Sequence, residues 1–167
     1  MAKDSVDQIL EQWSLERPDL DTSSLSVVVR LMALYKPLLR QATRALEPLE
    51  LELWQYDVLS ALRRQGRPFS LSATRLAVST GLSTGAMTNR IDKLEALGFV
   101  RRTSVKSDRR SVHVSLTVKG QRVIDSAMKL RFDAAEASLK GLSTRERQQL
   151  ADLLRKVVIT TAALEAA

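Results

Sequence analysis

Residues 83–98 read Ser-Thr-Gly-Ala-Met-Thr-Asn-Arg-Ile-Asp-Lys-Leu-Glu-Ala-Leu-Gly. Ser83 stands where an N-cap accepts a backbone N–H, and Gly98 where a helix stops. At about 100° per residue, Met87, Ile91 and Leu94 share one side, which predicts the face turned to a core. Thr84, Thr88, Asn89 and Lys93 are left on the rest. Just upstream, Ser72 can cap a short helix over 73–79, and Gly81-Leu82-Ser83 makes a tight turn. Two short helices across a Gly-containing turn read as a helix-turn-helix.

Downstream the pattern changes. Phe99 to Thr103 is apolar and then basic, and residues 104–110 are polar and turn-like. From Ser111 to Leu116 the chain alternates, with Val112, Val114 and Leu116 on one face and Ser111, His113 and Ser115 on the other. Such alternation predicts a half-buried strand. Together these residues predict a β-hairpin with a basic tip, a wing carrying Lys106, Asp108, Arg109 and Arg110.

The flanks are helical. Residues from about 5 to 15 place Val6, Ile9, Leu10 and Trp13 on one side, and Arg17-Pro18-Asp19 ends that run. A long helix over about 24–46 carries Val28, Leu31, Met32, Tyr35, Leu38, Leu39, Ala42 and Leu46 at helical spacing. Pro37 inside it predicts a kink or a disturbed hydrogen-bond ladder. Another helix runs from about 51 to 64, before Gly66-Arg67-Pro68. Thr117 can cap a helix reaching about 140, and Ser143 with Glu146 has capping-box spacing for the last one. These terminal helices hold more apolar surface than one small winged domain can cover, which predicts a homodimer. The expected fold class is mainly α (α+β), a single domain of 167 residues. Residues 49–120 would form a winged helix-turn-helix DNA-binding core, and 1–48 with 121–167 a helical dimerisation region.

Charge agrees with this division. The chain has 26 Lys and Arg against 19 Asp and Glu, a net +7. Residues 67–122 hold eleven basic and three acidic side chains, so this segment alone carries +8 and the remainder −1. Positive charge gathered on one module suits phosphate, and the implied partner is double-stranded DNA. A chance surface fluctuation is the competing reading. Cysteine is absent, which excludes disulfides, thiolate nucleophiles and Cys-based zinc sites. With His113 as the sole histidine, a metal site or a Ser-His-Asp triad has little support, and no cofactor is implied. No apolar run approaches a membrane span, and the first residues lack the apolar stretch of a secretory signal. A cytoplasmic protein, not an enzyme, is expected.

The stretch 86–120 resembles the signature of the MarR family of winged helix-turn-helix regulators. The resemblance rests on Ala86-Met87, Asn89, Leu94-Glu95, Gly98-Phe99-Val100, Asp108-Arg109-Arg110, Thr117 and Gly120, at the family's gaps. It implies a homodimeric bacterial DNA-binding transcription regulator, usually a repressor released by a small ligand and nucleoid-associated when bound. Gln12-Trp13, Glu16-Arg17-Pro18-Asp19-Leu20-Asp21, Tyr56-Asp57-Val58-Leu59 and Thr88-Asn89-Arg90-Ile91-Asp92 are further similar to the PecS-like branch. Some members of that branch respond to urate. The resemblance places their ligand-linked positions on Trp13, Asp57, Arg90 and Arg102. The departure is Leu51-Glu52-Leu53-Trp54, which replaces the branch's usual linker to the next helix.

The DNA-facing candidates are then Ser83, Thr84, Thr88, Asn89 and Lys93 on the recognition helix and Lys106, Asp108, Arg109 and Arg110 on the wing. Asn bonds adenine through two hydrogen bonds on its major-groove edge, and a Thr methyl touches that of thymine. A narrow minor groove draws Arg, and Asp108 can orient Arg110. Asp92 and Glu95 would repel phosphate, so that edge is expected to face away. A solvated helix face and a solvated turn are the alternatives. Arg90 falls at the edge of the apolar face and Asp57 beside the stripe of Trp54, Val58, Ala61 and Leu62. An Asp57–Arg90 pair is expected, either structural or part of a switch, because an unpaired buried charge is costly. A small aromatic or phenolic anion such as urate would stack on Trp13 and draw Arg90 or Arg102. Rival readings are a non-specific architectural DNA binder without an inducer, a protein-interaction module, and an enzyme.

Overall fold

Asp4 opens the first helix by accepting the N–H groups of Val6 and Asp7 at 2.9 and 3.0 Å, while the Asp7 carboxylate accepts that of Asp4. The computed structural model describes residues 3–105 and 108–165. Helix α1 (Ser5–Glu16) lies on α2 (Ser23–Arg44), held by Arg30, whose guanidinium donates to Asp4 at 2.9 Å and Asp7 at 2.6 Å. Helix α2 continues through Pro37, where the ring withdraws one N–H without ending the helix. A 3-10 turn, Glu47–Leu49, leads to α3 (Leu53–Arg63).

The central module follows as β1 (Ser70–Ser72), α4 (Ala73–Ser79), α5 (Thr84–Ala96), β2 (Val100–Val105) and β3 (Asp108–Leu116). All strands are antiparallel in the order β1-β3-β2. The two-strand reading of the sequence missed β1, which is three residues long and too short to show periodicity. Its presence makes β3 the middle strand. That is why Ser115, expected on the outer face, is buried, with its hydroxyl accepting from Arg101 Nε at 3.3 Å. Polar residues 104–110 were expected to be turn. Instead β2 reaches Val105 and β3 starts at Asp108, with a register shift after Ser104. Backbone pairing needs no apolar side chains, so a polar hairpin end stays in the ladder.

Helices α6 (Val118–Ser138) and α7 (Thr144–Glu165) complete the chain. The expected caps form: Thr117 Oγ1 accepts from Gly120 N–H at 3.0 Å, and the Ser143 and Glu146 side chains bond reciprocally. Leu59, Leu62, Leu76, Met87, Ile91, Leu94, Val100, Val114 and Ile124 are sealed in one core around α3, α4, α5, the sheet and the start of α6. Two glycines set the geometry there. Gly98 takes φ +72° to end α5, and a Cβ at Gly120 would stand 1.9 Å from the Phe99 carbonyl oxygen. Helix α6 therefore leaves the wing at backbone contact.

The outer helices contribute almost nothing to that core. Helix α2 buries only Ala42, and α7 buries none of its described residues. Val28, Met32, Tyr35, Leu153, Val158 and Ile159 are each at least half exposed. Among the described residues no helix is long and apolar enough to cross a membrane.

Candidate nucleic-acid interface

Helix α5 sits on the core through Met87, Ile91 and Leu94, as its spacing requires. Ser83 caps it, accepting the Ala86 N–H at 3.3 Å. Ser83, Thr84, Thr88, Asn89 and Lys93 are all exposed. Thr88 donates its hydroxyl proton to the Thr84 carbonyl at 2.9 Å, which leaves its methyl and oxygen lone pairs for a partner. The module thus presents short polar side chains on a rigid, capped helix, a form suited to base edges in a major groove. On the wing, the backbone of Asp108, Arg109 and Arg110 begins β3. Lys106 and the side chains of those three lie outside the described residues.

Arg102 lies on β2 and faces the recognition helix. Its guanidinium reaches Asp92 at 2.6 Å and Glu95 at 2.7 Å, and its backbone N–H donates to Glu95 at 2.9 Å. The two carboxylates therefore hold the wing, and their charges are engaged within the module. Lys119 is similarly employed: it donates to the Leu97 carbonyl at 2.9 Å, at the end of α5, and lies over the Phe99 ring. Two of the eleven basic side chains of residues 67–122 thus have donors already engaged within the module.

Arg90 is half-buried. The expected ion pair with Asp57 does not form: among the described residues Arg90 lies instead over the Trp54 ring, 5.4 Å from its centroid. Lys93 approaches the same ring at 6.0 Å. Trp54 is fixed in turn by donating Nε1–H to Glu52 at 2.7 Å. A cation over an indole face gains electrostatic attraction without a carboxylate. Trp54 was the feature the sequence reading passed over. Its signal was there, in the departure at Leu51-Glu52-Leu53-Trp54, which brings an indole to the base of α3. Trp54, Asn89, Arg90 and Lys93 line one shallow recess.

Asp57 is exposed as a residue, yet lost hydration pushes its carboxyl above the ordinary carboxylate value. The positive charges of Arg131, Arg90 and Arg64 oppose that rise. Trp13 is 47% exposed and lines a separate recess with Gln12 and Glu16. Within this chain, then, Trp13 stands apart, Arg102 is bonded to α5, and Asp57 and Arg90 interact only through space. No hydrogen bond or ion pair among the described residues gathers the four. Nor do those residues hold a group of three or more His, Asp or Glu side chains placed to bind a metal.

The sequence model of the MarR family matches residues 49–111, the second half of which takes in the recognition helix, β2 and the start of β3. The chain is 30% identical to the HTH-type transcriptional regulator PecS of Dickeya dadantii over 152 residues, 91% of this chain and 92% of that protein. Its fold superposes on a mutant MarR from E. coli complexed with operator DNA at a TM-score of 0.70. That match has 26% identity and covers 81% of this chain and 96% of the other. Bordetella bronchiseptica BpsR, whose DNA binding is regulated by 6-hydroxynicotinic acid, gives 0.68 at 25% identity, covering 79% and 98%. With one relative matched along nearly the whole of both chains, the protein belongs to the MarR family and is a DNA-binding transcriptional regulator.

Proposed function

We propose that the protein is a ligand-released repressor that binds a palindromic duplex as a homodimer. The observation that carries this reading is the separation of surfaces. Thr84, Thr88, Asn89 and Lys93 stand exposed on one capped helix, and the apolar residues of α2 and α7 stand exposed elsewhere. Residues 1–48 and 121–167 form the dimerisation region, and 49–120 the DNA-binding region. Ser83, Thr84, Thr88, Asn89 and Lys93 enter the major groove. Lys106, Asp108, Arg109 and Arg110 form the wing tip, with Arg110 in the minor groove. Paired recognition helices then address half-sites about one helical turn apart or slightly more.

The effector is a small aromatic or phenolic anion, for which urate is the first test. Support comes from the residue types at Trp13, Asp57, Arg90 and Arg102, from the likeness to PecS, and from the regulation of BpsR by 6-hydroxynicotinic acid. A ligand shifts the protein off DNA only if it favours one of two conformations. Arg90, stacked on Trp54 rather than bonded to a carboxylate, is a group on the recognition helix with a charge available to such a ligand.

Selection of bound duplexes from a random library tests the whole reading. A twofold consensus bound ~10³-fold more tightly than other sequences is expected. Equal affinity for all duplexes would mean an architectural binder. Titrating urate against that complex, with tryptophan fluorescence followed in parallel, should release the DNA. Release by another aromatic acid but not by urate would replace the effector and keep the mechanism.

A further inference from the structure

Trp54, the second residue of α3, is half-buried and packs against the edge of the sealed core. Its ring also carries two cations from α5, Arg90 at 5.4 Å and Lys93 at 6.0 Å from the centroid. The indole is tethered, because its Nε1–H donates to Glu52 at 2.7 Å. Glu52 is itself held at the start of α3, where its backbone N–H donates to the side chain of buried Gln55 at 2.9 Å. The ring is thus anchored on α3 and loaded by α5.

Two like charges three residues apart on a helix repel one another. The acidic side chains of α5, Asp92 and Glu95, are both bonded to Arg102. Among the described residues neither Arg90 nor Lys93 is in a salt bridge. The negative face of the indole is what brings the two together. A cation held by a ring face keeps its charge and its N–H donors, whereas a carboxylate partner would engage both. A platform that gathers two cations without neutralising them suits a polyanion. Asn89 borders the same recess, so the polyanion is the duplex that Asn89 faces. Long side chains lose rotamer freedom when they dock, and holding them beforehand moves that loss from binding into folding.

We propose that Trp54 is a positioning residue for DNA binding, holding Arg90 and Lys93 together and ready for the phosphate backbone of the duplex. Trp54 acts through these two side chains and does not itself touch DNA. The proposal rests on α5 being the groove-facing helix. Loss of base preference in Asn89→Ala, with Trp54 variants that bind as the parent does, would keep that reading and reject this one.

The test is titration of the selected duplex with full-length protein over a series of salt concentrations. Trp54→Leu keeps an apolar side chain against the core and removes the ring face. It should weaken binding by about three- to tenfold at every salt concentration. Its salt slope should match the parent's, because the phosphate contacts persist and only their ordering costs more. Arg90→Met combined with Lys93→Met should instead flatten the slope. In that background Trp54→Leu should cost less than about twofold, because the side chains it positions are gone. Trp54→Phe keeps a ring face and should recover most of the affinity that Trp54→Leu loses. An equal loss from Trp54→Leu in both backgrounds would make Trp54 a direct contact or a general support and overturn the proposal. So would unchanged affinity in Trp54→Leu, a flattened slope in Trp54→Leu, a loss in Trp54→Phe as large as in Trp54→Leu, or a parental slope in the doubly substituted protein. Failure of Trp54→Leu to fold would overturn it too, since Trp54 would then be a core residue.

Discussion

Arg102 and Glu95 are joined twice, through the Arg102 backbone N–H at 2.9 Å and through its guanidinium at 2.7 Å. With Asp92 at 2.6 Å, this fixes the first wing strand to the back of the recognition helix. Two DNA-reading elements are thus oriented as one body. Arg102→Met should weaken operator binding severalfold while leaving the core folded. A double-mutant cycle with Glu95→Gln should give a coupling of about 0.5–1 kcal/mol in stability, modest because both side chains keep contact with water. The informative comparison is with Lys at position 102, which keeps the charge and loses the fork. If Arg102→Lys binds DNA as the parent does, charge alone matters and the orientation argument fails.

Asn89 and Lys93 occupy the same exposed side of α5 but should fail in different ways. If Asn89 reads an adenine, Asn89→Ala should relax preference at one position per half-site, with about 1–3 kcal/mol of discrimination lost there. Lys93→Ala should weaken all duplexes alike and reduce the dependence on salt, as loss of a phosphate contact does. Competition binding with single-base operator variants at two salt concentrations separates the two. A uniform loss in Asn89→Ala would make it a backbone contact.

Much of this arrangement was legible before any coordinates. The core face of α5, the caps at Ser72, Ser83, Thr117 and Ser143, and the stop at Gly98 follow from local chemistry that sequence spacing records. What escaped depends on contacts between distant residues. Strand β1 is defined only by its pairing with β3. Arg102 read only as a ligand-linked position, through resemblance, because its bonds to Asp92 and Glu95 need the wing folded back. Arg90 was expected beside Asp57 since both lie at the edges of apolar stripes. The wheel does not show that Trp54 is the nearer surface.

Gly120 is a strict packing requirement. A Cβ there would meet the Phe99 carbonyl oxygen at 1.9 Å and its carbon at 2.8 Å, and both are backbone atoms that cannot rotate away. Gly120→Ala should destabilise the protein by about 1–3 kcal/mol or more through forced displacement of α6. Because α6 leaves directly from the wing, DNA affinity should fall as well. Urea unfolding measures the first effect and operator titration the second. An unchanged denaturation midpoint would mean that α6 and Phe99 can separate at no cost.

The amino-terminal helix has its own pH dependence. Asp4 accepts from Arg30 and caps α1, and the Arg30 guanidinium together with the backbone N–H groups of Asp7 and Val6 lowers its carboxyl below the ordinary value near 3.8. The folded chain therefore binds fewer protons at Asp4 than the unfolded chain does. Its contribution is fully present above about pH 4 and is lost as pH falls through the depressed folded value. Amide exchange in α1, corrected for intrinsic rates, should be flat between pH 7 and about pH 5 and accelerate below about pH 4, before the core opens. Asp4→Asn should lower α1 protection at neutral pH, since it removes the ion pair with Arg30, and should abolish most of the acid dependence. Because Trp13 rides on α1, its emission should respond over the same acid range. Protection of α1 that persists to pH 3 in the parent, or an acid response undiminished in Asp4→Asn, would show that apolar packing of Val6 rather than the Asp4–Arg30 contact holds the helix.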